Sequence, residues 1–142
     1  MILVVFLGWL LAFPAMALPS KTDEDYKNFS KTCKNIGVDS SYVSAECLDI
    51  SGLHSKNQTL DLDMCVGIDY TSLDLTWAIY GKMSGYCGHC QLDLDQPEGP
   101  ILSCTCAWSG SKANSTLTLD DGIGNNNGTL SCNGGAGMPT IG

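Results

Sequence analysis

The stretch Asn114-Ser115-Thr116-Leu117-Thr118-Leu119-Asp120 restates, in similar residue types and order, the earlier Lys56-Asn57-Gln58-Thr59-Leu60-Asp61-Leu62-Asp63. Two further echoes precede each copy. Tyr42-Val43-Ser44-Ala45-Glu46-Cys47 stands before the first as Ile101-Leu102-Ser103-Cys104-Thr105-Cys106 stands before the second. Further upstream, Phe29-Ser30-Lys31-Thr32-Cys33 matches Met83-Ser84-Gly85-Tyr86-Cys87. Three echoes in one order define two tandem repeats, 29–77 and 83–132. A half of about 50 residues buries too little surface to be more than marginally stable alone. The two are therefore expected to interlock into one body.

The repeated stretches alternate apolar and polar side chains, which is the period of a half-buried strand and not of a helix. Candidate strands run over Phe29–Lys34, Tyr42–Leu48, Thr59–Leu62, Leu73–Ile79, Met83–Cys90, Ile101–Trp108, Ser115–Leu119 and Thr129–Cys132. Turns are expected at Gly37–Ser40 and Gln96–Pro100. Asn127-Gly128 marks a hairpin, because a type I′ turn needs positive φ at both central residues. Asp63-Met64-Cys65 and Asp120-Asp121-Gly122 each suit one helical turn. No stretch has the period of a long amphipathic helix, so the fold class is all-β. The acidic residues 18–28 read as a flexible arm and the Gly-rich residues 133–142 as a flexible tail.

With 15 acidic residues against 7 basic ones, all lysines, the net charge is −8. Nucleic-acid binding needs basic patches that displace counterions, and anionic membrane surfaces need the same sign of charge, so neither partner is expected. Residues 1–17 read as an export signal. The apolar block Ile2–Phe13 is stopped by Pro14, and Ala15-Met16-Ala17 has the small-x-small pattern of a cleavage site. Twelve apolar residues make only about 18 Å of helix, too short for a bilayer core of about 30 Å. No membrane partner remains once the signal is removed, and a secreted, extracellular location follows. Four sequons agree with export, at Asn28, Asn57, Asn114 and Asn127.

Without the signal, about 38% of the residues are apolar, a modest share from which to build a core. Eight cysteines supply staples, and an oxidising compartment makes disulfides their expected state. The repeats suggest the pairing. Cys33 and Cys47 have Cys87 and Cys106 as echoes, so Cys33–Cys47 and Cys87–Cys106 are matching bridges. Cys90 aligns with Ile36 and Cys104 with Ala45, which makes Cys90–Cys104 a nested second rung. A crossed alternative, Cys87–Cys104 with Cys90–Cys106, fits an antiparallel ladder less well. Cys65 and Cys132 remain for each other.

In combination these residues resemble the cyanovirin-N homology family. The resemblance rests on Phe29-Ser30-Lys31-Thr32-Cys33 with Cys47, on Thr59-Leu60-Asp61-Leu62, on Trp77, and on the closely similar run from Ser115 to Leu130. Cys87-x-x-Cys90, Cys104-x-Cys106, Cys65 and Cys132 resemble its fungal branch. The resemblance covers 29–132. It implies a pseudo-symmetric two-repeat β fold, each half a three-stranded sheet plus a hairpin, with segments exchanged between repeats. Founding members are lectins for α1→2-linked mannose on high-mannose glycans, so glycans, oligomannose among them, are the implied partners. The family has one shallow polar cleft per repeat. In the first, Lys31 and Thr32 face the turn Asn125, Asn126 and Asn127, and these five are the candidate carbohydrate-binding residues. Leu48 and Ile50 stand where mannose binders carry acidic and hydroxyl residues. In the second, Gly67, Ile68, Lys82 and Tyr86 replace polar partners, and Ala107-Trp108-Ser109 replace basic and polar ones. Trp77 is assigned to the core; Tyr86 and Trp108 are able to stack on a sugar face, but an aromatic pair beside a disulfide more often belongs to the core. No metal or cofactor is expected, since the cleft has no carboxylate cluster to hold calcium.

Other chemistries fit less well. Cys87-Gly88-His89-Cys90 resembles a disulfide-isomerase motif, but it lacks the following helix that lowers a thiol pKa. Cys87, Cys90, Cys104 and Cys106 have the wrong second spacing for zinc. Hydrolysis has only His54 and His89 to draw on, so the chain is not expected to be an enzyme. The alternative to a lectin is a cysteine-rich secreted interaction protein that keeps the fold without mannose binding. The linker Ala78-Ile79-Tyr80-Gly81-Lys82 lacks the proline of the mannose binders. A reversal at Gly81 and the Cys65–Cys132 tie both favour a monomer over a domain-swapped dimer.

Overall fold

The computed structural model describes residues 23–140, so the export signal at 1–17 and the first part of the arm lie outside the described residues. Two three-stranded antiparallel sheets form the frame. The first holds β1 (Cys33–Asp39), β2 (Tyr42–Leu48) and β3 (Ser55–Asp61), and the second holds β6 (Cys87–Asp93), β7 (Ile101–Trp108) and β8 (Ser111–Thr118). Each is accompanied by a hairpin: β4 (Val66–Ile68) with β5 (Leu75–Trp77), and β9 (Ile123–Asn126) with β10 (Thr129–Cys132). Helical residues in the described region occur only as single 3-10 turns. The all-β class is as the sequence echoes predict. Several strand limits differ from those expected: β1 begins at Cys33, because Phe29–Lys31 is a 3-10 turn that buries Phe29. Met83–Gly85 does the same before β6 with Met83. Gly37–Asp39 continues β1, and the chain reverses at Ser40 and Ser41.

The hairpins are exchanged between repeats. β10, from the second repeat, packs on β3 of the first. β5, from the first repeat, packs on β8 of the second, and Leu75 N donates to Ser115 Oγ at 2.8 Å. A reciprocal clasp locks the exchange. Ser30 N donates to Asp120 Oδ1 at 3.0 Å, and the Ser30 hydroxyl donates to Asp120 Oδ2. In the other direction Ser84 N donates to Asp63 Oδ1 at 2.7 Å, and the Ser84 hydroxyl donates to Asp63 Oδ2. The core between the layers is one continuous cluster that includes Phe29, Val43, Leu60, Leu62, Leu102, Leu119, Ile123 and Leu130, all fully buried.

The four disulfides are Cys33–Cys47, Cys87–Cys106, Cys90–Cys104 and Cys65–Cys132, the pairing the repeats suggest. Cys33 lies directly across from Cys47, and Cys87 directly across from Cys106. Each of these ladders then breaks at one bulge, between Lys34 and Gly37 or between Gly88 and Gln91. Two residues on the bulged strand oppose one on the partner. Asn35 and His89 take the left-handed conformation there, with φ of 52° in both. The bulge turns Cys90 toward Cys104, where the first repeat has Ile36 and Ala45.

Three other expectations change. Residues 133–142 were expected to form a flexible tail. Instead β11 (Gly135–Ala136) pairs with β10, β12 (Met138–Pro139) adds to the free edge of β3, and Thr140 N donates to Asn57 O at 3.1 Å. An edge strand presents unpaired backbone groups, and this segment satisfies them. Within the arm, Asp23–Tyr26 forms a 3-10 turn packed on β9. A Cβ on Gly124 would stand 2.0 Å from Asp25 O, so only glycine admits this contact. In the linker, the positive φ values belong to Tyr80 and Lys82 and not to Gly81. Gly81 is needed instead for close packing, since a Cβ there would stand 2.4 Å from Gly67 N. The reversal is tied back by Ala78 N to Cys65 O, Tyr80 N to Met64 O and Lys82 N to Asp63 O, at 2.8–3.0 Å.

Candidate functional site

The first-repeat cleft forms where the β9–β10 hairpin meets the ends of β1 and β2. Asn127 and Gly128, with φ of 51° and 89°, make the expected tight turn. Asn125 fastens that hairpin to the sheet. Its Nδ2 donates to Thr32 Oγ1 at 2.9 Å and to Leu48 O at 2.8 Å, while its Oδ1 accepts from Gly128 N at 2.8 Å. Asn127 Oδ1 accepts from Ile50 N at 2.9 Å, and Lys56 Nζ donates to Asn127 O at 3.4 Å. The structure thus brings Thr32, Asn125 and Asn127 together. Asn126 is exposed at the end of β9, opposite Thr129. Lys31 lines a neighbouring depression with Asn28, Ser30, Gln96 and Glu98. All three hydrogen-bonding capacities that Asn125 uses are spent inside the protein, so its first role is to hold the hairpin.

The loop from Asp49 to His54 forms one wall. Ser51 donates its hydroxyl and N–H to Asp49, and the hydroxyl bond holds the Asp49 carboxyl below the usual carboxylate range. Ile50 and Leu53 project into solvent, 91% and 81% exposed. They give this wall an apolar lip, of which the sequence singles out Ile50 and not Leu53.

The equivalent place in the second repeat differs in chemistry. Trp108 is on the surface with Tyr70, whereas Tyr86 is partly buried against the core and joins them by its ring edge. The three ring centroids lie 5.1–5.6 Å apart, tilted or edge to face. Tyr70 and Trp108 are about half exposed. The Tyr70 and Tyr86 hydroxyls hydrogen-bond at 3.2 Å, which pushes the Tyr70 pKa up. Tyr70 was missed because it sits in the β4–β5 loop, one strand before Tyr86 and further still from Trp108 in sequence. Its recruitment follows from the hairpin exchange. Trp77 is partly buried against the core, and a Cβ on Gly122 would strike its ring at 2.3 Å. Cys87 and Cys90 are each bonded across the sheet to β7 and not to each other, so the CGHC stretch offers no dithiol pair for redox exchange.

A family profile for the CVNH domain matches residues 29–131. Among solved structures, the chain is similar to the crystal structure of a MoCVNH3 variant in complex with (N-GlcNAc)4. The TM-score is 0.65 at 19% identity, covering 75% of this chain and 98% of that one. It is also similar to the solution structure of the MoCVNH-LysM module of the rice blast fungus Magnaporthe oryzae. There the TM-score is 0.61 at 16% identity, over the same shares of the two chains. No curated protein matches the sequence.

Proposed function

The chain belongs to the CVNH family, and from that premise we propose that it is a secreted carbohydrate-binding protein whose first-repeat cleft takes high-mannose glycans. The observation that carries this reading is the convergence of Thr32, Asn125 and Asn127 at one exposed edge, with the hairpin already held in place. A sugar surrenders well-solvated hydroxyls on binding, so each new hydrogen bond is worth only about 1 kcal/mol net. A cleft that needs no ordering on binding loses less of that gain. The Thr32 hydroxyl can still donate, and the Asn127 amide nitrogen is open to a ligand. Ile50 adds an apolar contact for the C–H face of a ring. The second repeat, with Tyr70, Tyr86 and Trp108 in the corresponding place, lacks the amide and carboxylate partners and is not assigned mannose. The disulfides and sequons support export, and the tied-back linker supports a monomer.

A glycan array on protein free of its own glycans tests this. Oligomannose should be retained and then lost in Thr32→Ala with the fold intact by near-ultraviolet circular dichroism. The array should include GlcNAc oligomers, the ligand of the solved MoCVNH3 variant. Binding to those alone would replace mannose in this reading, and no binding to any glycan would leave the cysteine-rich interaction protein.

A further inference from the structure

Asn127 carries two functions that exclude each other. It belongs to the cleft through its bonds to Ile50 and Lys56, and it opens the sequon Asn127-Gly128-Thr129. We propose that Asn127 is a glycan attachment site, and that the glycan covers the first-repeat cleft and closes it to ligands. This rests on the export and cleft readings above. Of the four sequon asparagines, Asn127 is the one bonded to the cleft's own wall. Asn114 is bonded by Thr105 on the second sheet, Asn57 lies in β3 opposite Glu46, and Asn28 lines the neighbouring depression.

The local geometry admits attachment. Asn127 is exposed at the tip of a two-residue turn, and its Oδ1 holds Ile50 N while its Nδ2 makes no hydrogen bond to another described residue. In the transfer, Nδ2 bonds to the anomeric carbon of an oligosaccharide carried on a lipid diphosphate. The bond from that carbon to the phosphate oxygen breaks, the diphosphate leaves with the electron pair, and the amide nitrogen gives up one proton. Oδ1 is not consumed, so the bond from Ile50 persists. The glycan is then rooted at the cleft wall by a side chain that the Ile50 bond orients. A bulky, hydrated chain at this point shields Thr32 from ligand and Lys56 from solvent. The Lys56 stem lies across the turn, with Cδ 3.0 Å from where a Gly128 Cβ would be.

The test compares the full chain and Thr129→Val, both secreted from yeast, with the full chain made in a bacterial periplasm. Valine keeps the β-branched shape at this strand position while deleting the sequon. Peptide mapping should find an oligosaccharide on Asn127 in the full yeast-made chain and none in Thr129→Val. Acylation of Lys56 by a small amine reagent should be several-fold slower in the full yeast-made chain than in the variant. High-mannose glycan should bind to Thr129→Val and to the bacterial protein but not to the full yeast-made chain. An unmodified Asn127, or equal Lys56 rates, overturns the proposal. If the bacterial protein binds no mannose, the cleft reading fails separately, and the mass and acylation readouts still decide attachment and coverage.

Discussion

Ser30 reaches Asp120 across the repeat boundary, and Ser84 reaches Asp63 by the equivalent path. A hydrogen bond to a carboxylate is worth about 1.5–3 kcal/mol. Ser30→Ala is therefore expected to lower unfolding stability by about that much, with Ser84→Ala costing less because its site is more exposed; chemical denaturation measures both. Three exposed aspartates give a pH signature. The Asp49 carboxyl is held below its usual range by Ser51, Asp69 by the Ser72 and Thr71 backbone, and Asp93 by Gln96 and Asp95. A carboxyl whose folded pKa is depressed contributes stability above its unfolded pKa and loses it as pH falls through the folded one. Carboxyl-carbon NMR titrations should place all three midpoints below the ordinary aspartate value, and ordinary midpoints would contradict the loop geometry. The sequence displayed Ser30 with Ser84 and Asp63 with Asp120 as echoes. It did not display the bonds between them, because a repeat fixes equivalent positions and not which ones meet across the fold. Thr32 and Asn125 were legible by residue type. That Asn125 spends its amide on the hairpin was not, since bonding capacity is divided only once the neighbours are in place.

Among the elements, the hairpin at Asn127-Gly128, strands β2, β7 and β10 and the disulfide ladder were legible, because turn chemistry and alternation are local signals. The bulges were not read from the sequence, although the alignment of Cys90 with Ile36 marked the position that each one turns. Nor were the C-terminal strands. Gly135-Ala136-Gly137 has the composition of a loose tail, yet Gly135 and Ala136 pair with β10, and Met138-Pro139 beyond them cover the open edge of β3. Ending the chain after Gly134 removes the bond from Gly137 N to Leu130 O, that from Thr140 N to Asn57 O, and the short ladder on β3. At about 1 kcal/mol net for each bond, thermal unfolding should show a loss of roughly 2–3 kcal/mol. An unchanged melting temperature would mean the strand contributes nothing to stability.

At the scale of the whole molecule, each half is completed by a hairpin from the other repeat. The linker that permits this within one chain is bonded back onto Met64 and Cys65, and the Cys65–Cys132 bridge joins the first repeat to the end of the exchanged hairpin. Light scattering on deglycosylated protein should give a monomer mass at micromolar concentration, and a dimer that survives dilution would show that closure is not enforced. The same exchange assembles both cleft regions from distant sequence. For this reason the place of Tyr70 beside Tyr86 and Trp108 was invisible in the sequence, whereas Thr32 and Asn125, matched by residue type to a known family, stood out. We propose that the first cleft, and not the aromatic region, takes α1→2-linked mannose. That proposal is tested most directly by an amide NMR titration of unglycosylated protein with α1→2 mannobiose. Progressive, saturable shifts are expected at Thr32, Leu48, Ile50 and Asn125–Asn127, with Tyr70, Tyr86 and Trp108 unmoved. Shifts confined to the aromatic cluster, or no shifts at millimolar sugar, would contradict it.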